Sequence, residues 1–177
     1  MNTNLNIKLI ISFFTLIIIG STACKKEIVD PVINYYITFK SNDTSRFDNF
    51  NVLFSNTRAH QKDNEGEYIR TVYIDSKNIT YDKNTSNKPI FLGSSSIGTD
   101  SIIAYDFIFA NASILLNGDT IKPKPKEYYE SNKSYTKIKL KPDEVIGIIF
   151  EIDLDSSIVE LPNSEYKFYE KVNVLIQ

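Results

Sequence analysis

Val145-Ile-Gly-Ile-Ile-Phe-Glu-Ile-Asp-Leu154 sets large apolar side chains at Ile146, Ile148, Phe150, Ile152 and Leu154 against Gly147, Glu151 and Asp153. A period of two sends successive side chains to opposite faces of a strand, so one face is made for burial. The stretch 32–40 repeats the pattern, with Ile33, Tyr35, Ile37 and Phe39 opposed by Asn34, Tyr36, Thr38 and Lys40. In 101–110 both faces are apolar: Ile103, Tyr105, Phe107 and Phe109 on one, Ile102, Ala104 and Ile108 on the other. That strand is predicted to be covered on both sides.

The same reading predicts strands at 50–60, 68–75, 79–81, 114–116, 134–140, 157–160 and 166–176. Asp63-Asn-Glu-Gly66 closes a hairpin, and Asn117-Gly118 supplies a tight turn whose two central positions favour positive φ. Residues 41–45, 82–88 and 93–100 read as loops, with Pro89-Ile-Phe-Leu92 a short apolar piece between the last two. Lys122-Pro-Lys-Pro-Lys126 alternates proline with charge, which suits an edge or an extended loop. A solubilising edge is favoured there over a dock for an acidic partner, because lysine and proline also guard sheet edges. No long helical period bounded by caps is present. The expectation is an all-β fold, an antiparallel two-sheet β-sandwich with a barrel as the alternative.

Ahead of this domain, Leu9-Ile-Ile-Ser-Phe-Phe-Thr-Leu-Ile-Ile-Ile19 follows a single positive charge, Lys8. As a helix it spans about 17 Å, short of the roughly 30 Å hydrocarbon core, so an export signal fits better than a spanning helix. Gly20-Ser-Thr-Ala23 then leads into Cys24, the chain's single cysteine. No disulfide can form within one molecule, and an exported lone cysteine calls for another use. The expected division is a signal peptide at 1–23, a lipidated Cys24 with its tether at 24–31, and one domain at 32–177. Loss of 1–23 removes one base and no acid, leaving 19 bases against 22 acids, a net charge of −3. That balance lacks the basic footprint of a nucleic-acid binder. The chain has no Trp but 11 Tyr and 11 Phe, residues that favour strands.

The stretch from Gly20 to Cys24 resembles the lipobox of a bacterial lipoprotein, of the relaxed kind found in Bacteroidetes-type lipoproteins, with Ser21 standing where Leu, Val or Ile is usual. The resemblance implies cleavage before Cys24 and diacylglyceryl transfer to its thiol. Lys25-Lys26-Glu27 is partly similar to the outward-export signals of such proteins, which are mostly acidic. Phe47-Asp-Asn-Phe-Asn-Val-Leu-Phe-Ser-Asn-Thr-Arg-Ala-His60, Ile149-Phe-Glu-Ile-Asp-Leu-Asp-Ser-Ser-Ile-Val159 and the Tyr-x-Phe of Tyr166–Phe168 resemble a lipoprotein family called domain of unknown function 4382. The likeness covers roughly 35–177, and the region 90–126 departs from the family's pattern. It implies a sandwich of prealbumin-like type and no activity; the expected sandwich is thus prealbumin-like or immunoglobulin-like.

Candidate sites are few. Asp153 and Asp155 place carboxylates at alternate positions beside Ser157, and calcium favours several such oxygens. The plainer reading is that Glu151, Asp153 and Asp155 form the solvated face of a strand. His60 is the single histidine and reads as a polar residue near a strand end, since zinc would need further ligands. Ser134-Tyr-Thr-Lys137 matches a Ser-x-x-Lys pattern by letter, but on a strand the two residues face opposite ways. Tyr35-Tyr36 and Tyr128-Tyr129 offer rings for sugar stacking, though such pairs usually put one ring inside and one outside. With no catalytic constellation, the sequence predicts a non-enzymatic module, lipid-anchored in the cell envelope at the outer membrane, that binds protein or polysaccharide. The alternative is a structural component docking through a sheet edge. No cofactor is expected beyond the lipid on Cys24.

Overall fold

The computed structural model describes residues 28–41, 47–72, 74, 76–82, 88–124 and 133–177. The signal, Cys24, Lys25-Lys26-Glu27 of the tether and Tyr128-Tyr129 lie outside them. In chain order the elements are β1 (Val32–Lys40), β2 (Asn49–Lys62), β3 (Glu67–Val72), β4 (Lys77–Asp82), β5 (Ile90–Ser96) and β6 (Ser101–Leu116). There follow β7 (Asp119–Ile121), β8 (Lys133–Ile138), β9 (Val145–Asp153), a helical turn α1 (Leu154–Ser157), β10 (Ile158–Leu161), β11 (Glu165–Phe168) and β12 (Val172–Ile176).

The strands form a β-sandwich. One sheet has the order β12-β9-β1-β5; the other runs β3-β2-β6-β7, with β4 also on β2 and β8 also on β6. Strands β10 and β11 make a separate ribbon. The alternation in β9 and β1 does what a period of two requires: Ile146, Ile148, Phe150 and Ile152, with Ile33, Tyr35, Ile37 and Phe39, all face the core. Aromatic rings join the layers. Phe150 meets Tyr105 at 5.2 Å and Phe107 at 4.8 Å between centroids, while Tyr35 stacks on Phe150 at 5.7 Å. The Asn117-Gly118 turn closes β6 onto β7 with φ of 51° and 87°, as its residue types demand.

Several expectations are corrected. The pairing of β1 with β9 is parallel while the other named strands pair antiparallel, and the isolated bridge of Lys124 to Lys167 is parallel too. The stretch 93–96 is no loop: Gly93-Ser-Ser-Ser96 completes β5, because pairing with β1 outweighs the weak strand preference of Gly and Ser. The strands expected at 101–110 and 114–116 are one strand, β6, which passes Asn111 at φ 53°. Its two-sided cover holds at Ala104 and Asp106 and ends at exposed Ile108. The strand expected over 166–176 is two strands in different sheets. Buried Ser157 holds the break between them: its carbonyl accepts from the Tyr169 N–H at 2.7 Å and its Oγ from the Lys171 N–H at 2.8 Å.

Candidate functional site

On the outer face of the four-stranded sheet, one register line crosses every strand. Leu175 of β12 sits opposite Ile149 of β9, Ile149 opposite Tyr36 of β1, and Tyr36 opposite Phe91 of β5. With strands about 4.8 Å apart, the row is roughly 14 Å wide. Its ends are open, Phe91 at 46% and Leu175 at 42% exposure, while Ile149 is buried between them. Tyr36 and Phe91 touch ring to ring at 5.4 Å.

A β-bulge makes this row. The register steps from Tyr35 opposite Gly93 to Tyr36 opposite Phe91, so Leu92 is an extra residue. Leu92 turns into the core and Phe91 turns out beside Tyr36. Lys77 braces the bulge: its Nζ donates to the Phe91 carbonyl at 2.8 Å and lies 5.7 Å from the Phe91 ring centroid.

Polar rows flank the apolar one. On one side the Ser94 hydroxyl donates to Asn34 Oδ1 at 2.6 Å, Asn34 faces Gly147, and Gly147 exchanges backbone hydrogen bonds with Gln177. On the other side Thr38, Glu151 and Asn173 line up, and the Asn173 amide donates to Glu151 Oε1 at 3.3 Å. A flat apolar strip between rows of amides, hydroxyls and one carboxylate can hold a ligand that has both apolar faces and hydroxyl groups.

A second polar cluster lies on the other sheet. Asp106 Oδ2 of β6 accepts from His60 Nε2 at 2.9 Å and from Arg58 Nη2 at 3.1 Å, the two bases coming from β2. Asp106 and His60 are buried. Asp106 Oδ1 and Arg58 Nε have no partner among the described residues. Beside the cluster the buried Thr57 hydroxyl donates to the Asp106 carbonyl at 2.7 Å, and among the described residues no group of three or more His, Cys, Asp or Glu is arranged to hold a metal. In the core, burial pushes the Tyr35 hydroxyl up to about 12 and raises Tyr105 well above its ordinary value. Their phenol oxygens influence each other's ionisation without forming a well-shaped hydrogen bond.

The sequence-predicted residues separate as follows. Asp153 and Asp155 do not share a strand face: β9 ends at Asp153, whose Oδ1 caps α1 by accepting from the Ser156 N–H at 3.0 Å, and Asp155 lies within that turn. Leu154, read as strand, is its first residue. His60 is near a strand end but buried, its Nε2 hydrogen-bonded to Asp106 Oδ2 at 2.9 Å, which the reading as a strand-end polar residue missed. Ser134 and Lys137 do face opposite ways; the Ser134 hydroxyl donates to the Val172 carbonyl at 2.6 Å while Lys137 is exposed. Lys124 lies along β11, its N–H donating to the Tyr166 carbonyl at 2.7 Å and its Nζ to Glu165 at 2.6 Å. Tyr35 is inside and Tyr36 outside, as a strand pair should be. Phe91, Ile149 and Leu175 were not singled out; the exposed aromatic in Pro89-Ile-Phe-Leu92 was the available signal. No protein-family model, curated protein or solved structure matches the chain.

Proposed function

We propose that this chain is a lipid-anchored cell-envelope protein, held at the outer membrane through Cys24, whose sandwich is a non-enzymatic binding module for polysaccharide or protein. The observation that carries it is the row Phe91-Tyr36-Ile149-Leu175, an apolar strip crossing a whole sheet face between hydrogen-bonding side chains. Sugar rings present apolar C–H faces and a rim of hydroxyls, which suit the aromatic pair and the amides of Asn34 and Asn173. Retention of isolated envelope polysaccharide by the acylated chain tests this, compared with a Tyr36→Ala/Phe91→Ser variant. Loss of retention with melting shifted by no more than a few degrees supports the strip as the site; equal retention by both discards it.

A second reading, structural docking through a sheet edge, has one observation in its favour. Strand β5 ends its sheet, and Gly93-Ser94-Ser95-Ser96 carries neither charge nor proline, the usual guards of an edge. Crosslinking from a photoreactive residue at Ser96 into one defined envelope protein supports that reading; its failure with the native chain removes it.

A further inference from the structure

We infer that the end of the sandwich where the chain enters β1 rests in the interfacial layer of the lipid bilayer, with Ile28, Val29 and Val145 among the headgroups. This rests on the reading that Cys24 carries acyl chains. Three observations lead here. The Asp143 N–H donates to the Val29 carbonyl at 2.9 Å and the Val32 N–H to the Glu144 carbonyl at 2.9 Å, so the entering chain is pinned to the turn before β9. Val32 lies opposite Val145. The large apolar side chains of this end are turned to solvent: Ile28 is 74% exposed, Val29 54% and Val145 68%.

Chain length fixes the occupant. Val29 is five positions beyond Cys24, a span of at most about 18 Å when fully extended. A lipid on Cys24 therefore keeps Val29 within that distance of the bilayer, and the nearest large apolar phase is the membrane itself. Apolar side chains at a membrane interface leave water, while folded soluble surfaces seldom gather them without a partner. The force is apolar, not electrostatic. Among the described exposed charges at this end, Asp30, Asp63, Glu65, Glu67 and Asp143 stand against Lys62, Arg70, Lys139 and Lys141, close to balance. Glu144 is half-buried, and its Oε2 accepts the Lys141 N–H at 3.1 Å. Docking is thus expected on neutral lipid and in high salt alike. The consequence is orientation: the β5-β1-β9-β12 sheet stands with its strands rising from the membrane, and the Phe91-Tyr36 strip is presented sideways.

The test uses the acylated full chain in phosphatidylcholine vesicles. Cys24 is the single cysteine, so once it is acylated Val145→Cys provides the one free thiol for an environment-sensitive dye. Val29→Cys is a second reporter, and Thr120→Cys is the control. Thr120 follows the Asn117-Gly118 turn at the other end of the sandwich: Phe39, near the far end of β1, packs on Phe50 at 5.7 Å, and Phe50 faces Ile114 just before that turn. The expected result is blue-shifted emission, with severalfold quenching by lipid-borne quenchers, at 145 and 29 but not at 120, unchanged by salt. Dyes at 145 and 29 as water-exposed as the one at 120, on protein shown by mass spectrometry to be acylated and vesicle-bound, overturn the docked end and leave the anchor standing. A chain whose Cys24 is unmodified overturns both.

Discussion

Tyr35 and Tyr36 are neighbours in the chain and occupy different worlds. Tyr35 is sealed between Phe150 and Tyr105, and its hydroxyl has no well-formed partner among the described residues. Tyr36 lies half-exposed on the opposite face against Phe91. The backbone geometry of β1 is common to both; what differs is which layer each meets. The same residue type thus serves cohesion on one side of the sheet and contact with the outside on the other. Substitutions that separate stability from binding follow from this division.

The largest effect belongs on the inner side. Phe150 touches Tyr35, Tyr105 and Phe107, and so links both sheets. Phe150→Ala is expected to cost about 3–5 kcal/mol, read from urea unfolding. A cost near zero would mean that the two sheets do not cohere through this ring. Asp106→Ala comes next. It leaves buried His60 without its acceptor and Arg58 without its counter-charge, at about 2–4 kcal/mol. In a double-mutant cycle, His60→Ala should cost clearly less once Asp106 is gone.

Much of this division was legible beforehand. The alternation in 145–153 and 32–40 assigns the inner face residue by residue, because burial of one face selects for it directly. The outer row was not legible, for two reasons. It depends on the parallel pairing of β1 with β9, which brings together residues over a hundred positions apart and leaves no local signature. It also depends on the bulge at Leu92, which turns Phe91 outward within a stretch whose Gly and Ser residues read as loop. Asp106 was hidden likewise, a single carboxylate in an apolar strand whose partners on β2 are set by long-range pairing. Asp153 and Asp155 show the converse: alternate spacing implied a shared face, but Asp153's side chain caps a helical turn and ends the strand instead.

A smaller effect sharpens the inner side through pH. Burial raises the Tyr35 hydroxyl to about 12 from an ordinary 10. The folded state then holds its proton more tightly than the unfolded chain, so stability from this group is complete below pH 10. It is lost as pH rises from about 10 toward 12. Tyr35→Phe is expected to change stability by no more than about 1 kcal/mol near neutral pH, since the hydroxyl has no well-formed bond to lose. It should also move the alkaline unfolding midpoint upward. A midpoint unchanged by Tyr35→Phe would show that this phenol does not limit alkaline stability.

The smallest effect on stability is expected at Tyr36, and it is the most informative. Tyr36→Ala removes one half-exposed ring and its contact with Phe91, worth about 0.5–1.5 kcal/mol beyond its buried area for a good aromatic pair and less at a surface. Melting should therefore shift by a few degrees at most, while ligand retention falls sharply. Because the Tyr36-Phe91 end offers two rings and the Leu175 end one aliphatic side chain beyond buried Ile149, Leu175→Ser should weaken the proposed retention less than Tyr36→Ala. If Tyr36→Ala instead destabilises the fold as much as Phe150→Ala, the outer ring is serving cohesion too, and the contrast between the two faces of β1 fails.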